Sequence, residues 1–137
     1  MALQLASLPL LLKRKEMIIS QEDMRTALNE LDCRTNFTIS NVTEYMLPKL
    51  KEPVYLHIDS NTPVLIIRPA FEVFSGELAT LDGVHAQYDY HHNAQMTRFP
   101  TRRHKSLKES HYGLAFKFET AESVKLFITR LIEIVKG

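Results

Sequence analysis

Between Arg98 and Lys108 the chain carries Arg98, Arg102, Arg103, Lys105 and Lys108, with His104 among them and no carboxylate. Fixed positive charge at this density suits one chemistry, the binding of anions. Arg grips a phosphate with two parallel donors, and cations set beside phosphates release condensed counterions. Tyr88, Tyr90, Phe99 and Tyr112 lie on either side or within the stretch and offer ring faces on which unpaired bases stack. The ligand-binding set expected from the sequence is therefore Arg98, Arg102, Arg103, His104, Lys105 and Lys108, with Tyr90 and Tyr112. The partner it implies is a nucleic acid or another phosphate-bearing ligand. Two other readings use the same residues: an inhibitor or immunity-type surface that meets an acidic protein, and a solvated loop whose charges balance an acidic remainder.

Histidines supply the second chemistry. His85, Asp89, His91 and His92 are close in sequence, and His104 and His111 come near them if the basic stretch folds back. Imidazole and carboxylate suit a transition metal or general acid/base work, which makes a small metal- or histidine-dependent enzyme the alternative from another class. Strand alternation, however, puts His91 and His92 on opposite faces, and no HExxH, HxH or cysteine–histidine spacing is present. Neither a GxSxG elbow, a Walker loop nor a GxGxxG turn occurs, and the chain has 4 glycines in all, so no cofactor and no catalytic set is expected. Cys33 is the sole cysteine, which excludes an intrachain disulfide and a cysteine-based zinc site and points to a reducing, cytoplasmic setting.

The charge split is local rather than global. The whole chain has 17 Lys and Arg against 16 Asp and Glu; starting at Met17, which drops Lys13, Arg14, Lys15 and Glu16, the counts become 14 and 15, and 9 and 15 once the basic stretch is set aside. Anionic partners answer to that local potential. In residues 1–16 the cluster Lys13-Arg14-Lys15 follows the apolar run, the reverse of a secretory signal, and the run is too short for a bilayer. Lys-Arg-Lys-Glu can be written in purine-rich codons that resemble a ribosome-binding site before Met17, so residues 1–16 are expected to be translated leader or a flexible N-terminal segment. Residues 17–137 are expected to form one domain, a size at which a single core suffices.

These groups must be positioned by periodic elements. Ser20 and Asp23 form an N-cap pattern, and Met24, Ala27, Leu28 and Leu31 make an amphipathic stripe, which predicts a helix over 21–33. Val42, Tyr45 and Met46 predict a second helix from Ser40 to near Leu50, limited by Pro48 and Pro53. Alternation of Val54, Leu56 and Ile58 predicts a strand, Ser60-Asn61-Thr62-Pro63 a turn, and Val64 to Ile67 a doubly buried strand closing a hairpin. Phe71, Val73 and Phe74 extend the sheet, Asp82-Gly83 turns into a strand from Val84 to Tyr90, and a short strand runs from Met96 to Phe99. Most of the basic stretch reads as loop. Tyr112, Leu114, Phe116 and Phe118 alternate as a strand, and Thr120 caps a last helix with Val124, Phe127, Ile128, Leu131 and Val135 on one face.

The expected fold is thus α+β: two N-terminal helices, a mainly antiparallel sheet of four to six strands, and a C-terminal helix packed on the sheet. The order of two helices and a hairpin resembles a winged helix, and the last strand and helix resemble the close of a pleckstrin-homology-like barrel. Neither resemblance rests on a diagnostic motif, and neither assigns a family.

Overall fold

The structure, a computed structural model, describes residues 17–103, 105 and 108–137. The expected leader, residues 1–16, lies outside the described residues, as does His104. Helix α1 (Gln21–Glu30) begins where Ser20 Oγ accepts the Asp23 backbone N–H at 3.0 Å, a cap worth about 1 kcal/mol. It ends earlier than its stripe suggests, since Asp32 takes a left-handed φ of 62° that no helix continues through.

The predicted second helix does not form. Residues Arg34–Ile39 are strand β1 and Val42–Met46 strand β2, an antiparallel hairpin with Ile39 opposite Val42. Ser40 and Asn41, the two loop residues, have φ of 49° and 66°, the backbone that two-residue hairpins need for their twist. Every residue of β2 is buried, so no alternation marks it as a strand. The winged-helix order falls with that helix.

Strands β3 (Pro53–Asp59) and β4 (Thr62–Ile67) make the predicted hairpin, turned by Ser60 and Asn61 with φ of 49° and 68°. Phe71 to Phe74 leave the sheet for a 3₁₀ helix, Pro69–Phe74, followed by the short helix α2 (Ser75–Ala79). Pro69 sits at the first turn of that helix, where its missing N–H costs nothing. The predicted strand 84–90 breaks after β5 (Val84–Ala86) and resumes as β6 (His91–His92). Residues 96–99 are turn rather than strand, and part of the presumed loop is strand β7 (Thr101–Arg103). Strand β8 (Glu109–Phe118) and helix α3 (Ala121–Lys136) close the chain, joined by a capping box between Thr120 and Ser123.

Among the described residues the result is α+β, an antiparallel sheet of eight strands with three α-helices, rather than four to six strands behind two helices. Its order is β1-β2-β3-β4-β8-β5, with β6 and β7 also on β8. One edge of β8 takes β4 and then β7; the other takes β5 and then β6. Helices α1 and α3 cover one face, where Met24 and Leu28 meet Leu56, Leu65, Phe116, Phe127 and Leu131 in the main core. The opposite face has a smaller core in which Met96 and Phe99, from the turn after β6, close over Tyr55, Ile66 and Ala115. Among the described residues no helix is long and apolar enough to cross a membrane.

Cys33 belongs to the main core, and burial first, then the adjacent Asp32, pushes its thiol up to about 11. The thiolate is the reactive form, so Cys33 should resist a chromogenic disulfide reagent at pH 8 while the protein is folded and react at once in strong denaturant. Fast labelling without denaturant would contradict this burial.

Candidate functional site: a cation–aromatic ledge

Three adjacent strands place the site. Tyr112 stands on β8 on the same face as Leu114, Phe116 and Phe118, and Tyr90 arrives from the β5–β6 connection on one edge. Arg102 arrives from β7 on the other edge. The two tyrosine rings meet edge to face at 5.2 Å, and the Arg102 guanidinium lies 4.7 Å from the Tyr90 ring centre and 5.5 Å from that of Tyr112. His92 stacks on the far side of the group, 6.0 Å from Tyr112 at 27°. Quadrupole attraction makes such a cation–ring arrangement favourable by ~0.5–1 kcal/mol at an exposed site, a bias of roughly two- to fivefold toward the rings. The Tyr90 hydroxyl donates to Glu72 Oε1 at 2.5 Å, and this hydrogen bond, before any other influence, raises the phenol above its ordinary pKa.

Asp89, Tyr90, His92, Arg102, Arg103 and Lys105 line one open depression of about 410 Å³. Three cations face one carboxylate there, and β7 is exposed along its length. The sequence-derived set is therefore brought together in part. Arg102, Arg103, Lys105, Tyr90 and Tyr112 share this ledge, and Lys108 is exposed just before β8.

Arg98 does not join them. Its Nε meets Glu44 Oε1 at 3.2 Å, and Glu44 has a side chain only 1% exposed. Asn36 Nδ2 donates to the same oxygen at 2.8 Å, and the Tyr55 hydroxyl donates to Glu44 Oε2 at 2.6 Å while accepting the Arg98 backbone N–H at 3.1 Å. Arg68 adds an ion pair to Glu52 and a hydrogen bond to the Arg98 carbonyl. Arg98 is thus the anchor of the turn beneath the basic stretch, held by a buried carboxylate.

The histidines scatter. His85 Nε2 lies 2.6 Å from Glu119 Oε2, and His111 Nδ1 donates to the Phe99 carbonyl at 2.7 Å. His91 and His92 take opposite faces of β6, as alternation predicts, and His91 Nε2 meets His57 Nδ1 at 2.9 Å. Among the described residues no three His, Cys, Asp or Glu side chains converge as metal ligands. His57 was the partner hardest to foresee, being alone on β3 and 34 positions away. Glu72, from the 3₁₀ helix, was likewise missing from the expected set.

The His57–His91 bond needs an acceptor lone pair, so at most one of the two rings can carry charge while it lasts. Burial first, and then the neighbouring His57, hold His91 below the ordinary imidazole value of about 6.5. As pH falls through 6.5 the unfolded chain takes its proton before the folded one, so stability is complete above that value and declines below it. A His91→Asn variant should show a shallower loss of the urea midpoint between pH 7.5 and 5.5 than the parent protein. Parallel profiles would remove the pair as a source of acid sensitivity.

No protein-family model, curated protein or solved structure matches this chain.

Proposed function

We propose that this protein is a non-enzymatic binder of single-stranded nucleic acid, with Arg102, Arg103 and Lys105 on the phosphates and Tyr90 and Tyr112 beside the bases. The observation that carries the reading is the Tyr90–Tyr112–Arg102 group opening onto a depression lined by the other two cations. Phosphate contacts give affinity without sequence information, and ring faces accept any base, so both halves of such a ligand find their chemistry within one ledge. The reading favours a single strand over a duplex because stacking needs unpaired bases.

Three phosphate contacts on a single strand imply a log–log salt slope of about −2, or roughly twentyfold weaker binding between 50 and 200 mM salt. Titration of a labelled mixed-sequence octaribonucleotide should show that slope in the parent protein and no binding in Arg102→Ala/Arg103→Ala/Lys105→Ala. Arg98→Ala serves as the control, since it removes a neighbouring positive charge that already has a carboxylate partner. Equal affinity of the parent and the triple variant would refute the proposal.

A further inference from the structure

A second depression adjoins the first and shares Tyr90 and Asp89 with it. Its volume is about 230 Å³, and Glu72, Gln87, Tyr88 and Leu114 are among its lining residues. None of its lining side chains is cationic, so the charge reverses sign across the Tyr90 ring. Two carboxylates repel a phosphate, which directs a different part of any ligand here. Tyr88 is wholly exposed at 102% of its reference surface, a ring standing in water at the mouth of the depression. Glu72 is fixed in place by the Tyr90 hydroxyl, which leaves the rest of its carboxylate as an acceptor of N–H groups.

We infer that this depression is a nucleobase subsite selective for guanine. The inference rests on the nucleic-acid reading of the ledge and names what that ligand presents to it. A carboxylate takes two parallel N–H donors best, and among the four bases only guanine offers an adjacent ring N–H and amino group on its Watson–Crick edge. Adenine and cytosine set a ring acceptor next to their amino group, which faces a carboxylate with repulsion. Uracil has one N–H between two carbonyls. Tyr88 and Tyr90 supply the stacking surface, Glu72 the edge contact with Asp89 beside it, and Arg102 the adjoining phosphate.

Four single-stranded octaribonucleotides of equal charge test this: (GU)4, (AU)4, (CU)4 and U8, each titrated against the intact protein and against Glu72→Gln. The expected result is about tenfold tighter binding of (GU)4 than of the other three, within the range that one good base-edge contact gives, and collapse of that ratio to within about twofold in the variant. Glu72 is exposed, so the variant should fold, and the ratio between oligonucleotides is insensitive to the general gain from losing a negative charge. Equal affinity of all four would overturn the guanine subsite while leaving the phosphate ledge intact. A guanine preference that survives Glu72→Gln would overturn the role of Glu72 in it, and no binding of any oligonucleotide would overturn both readings.

Discussion

Gly113→Ala should lower the unfolding free energy by about 3 kcal/mol, at the upper end of what overpacking a dense core costs. A Cβ at this position would stand 2.5 Å from Ile66 Cγ2, 2.6 Å from the Ile67 carbonyl oxygen and 3.1 Å from Phe99 Cδ2. The Ile66 methyl has nowhere to retreat, because that side chain is fully buried in the smaller core with Tyr55 and Phe99. The carbonyl is worse, being backbone of the β4 strand that pairs with β8 through Ile67 and Leu114. Relief therefore means parting β4 from β8 or lifting the turn that carries Phe99. In urea unfolding the midpoint should fall while the slope stays unchanged. A loss below about 1 kcal/mol would show that β8 has slack at this point, contrary to the packing described above. Tyr112 adjoins Gly113, so on the nucleic-acid reading proposed above oligonucleotide affinity should fall with stability in this variant.

The fold was legible where periodicity was strong or a β-branched run was bounded by turn residues, and lost where a strand buried on both faces happened to carry helical spacing. α1, α3, β3 and the strand from Tyr112 to Phe118 each repeat with one apolar face, β4 shows the unbroken run Val64–Ile67 after a turn, and each is found where the pattern puts it. β2 is buried on both faces, and Val42, Tyr45 and Met46 then mimic a helical stripe by accident of spacing. Yet a signal was present: the same Ser-Asn dipeptide turns both hairpins, at 40–41 and at 60–61. At the second position Pro63 reinforces it, whereas at the first the helical spacing of Val42, Tyr45 and Met46 outweighs it. β5, β6 and β7 have two or three residues each, too short for any period to show.

For the site, residue types were legible and partners were not. Tyr90, Tyr112, Arg102, Arg103 and Lys105 were singled out by composition alone, and they share the ledge because β8 receives different strands on its two edges. No spacing in the chain encodes that meeting. Arg98 carries the same charge as its neighbours and was grouped with them, although a buried carboxylate on a misassigned strand claims it. Glu44 in a predicted helix reads as a surface charge; in β2 it faces the smaller core beside Tyr55. The β2 assignment, the Glu44–Arg98 ion pair and the role of Arg98 therefore stand or fall together.

Glu44 also carries the second large effect. Its carboxylate accepts from Asn36, Tyr55 and Arg98; Arg98 is 56% exposed and Asn36 is exposed on β1, so the charge is matched by a water-accessible guanidinium and amide on the outside and by the buried Tyr55 hydroxyl within. Removing it strands the fully buried Tyr55 hydroxyl: Glu44→Ala should cost about 3 kcal/mol, the upper end of what an unsatisfied buried polar group costs, while the exposed Arg98 guanidinium is left to water. Arg98→Ala should cost much less, because Glu44 keeps two of its hydrogen bonds and water can enter where the guanidinium lay. Burial first, and then the hydrogen bond to Glu44, push the Tyr55 phenol up to about 12, so the hydroxyl stays a donor throughout the accessible pH range. If satisfaction of buried polar groups dominates, Glu44→Leu/Tyr55→Phe should be more stable than the sum of its single changes predicts, with a coupling of about 1–3 kcal/mol in a double-mutant cycle. Simple additivity would mean that the Tyr55 hydroxyl contributes nothing through Glu44, and the network beneath the basic stretch would reduce to the contacts of Glu44 with the exposed Asn36 and Arg98.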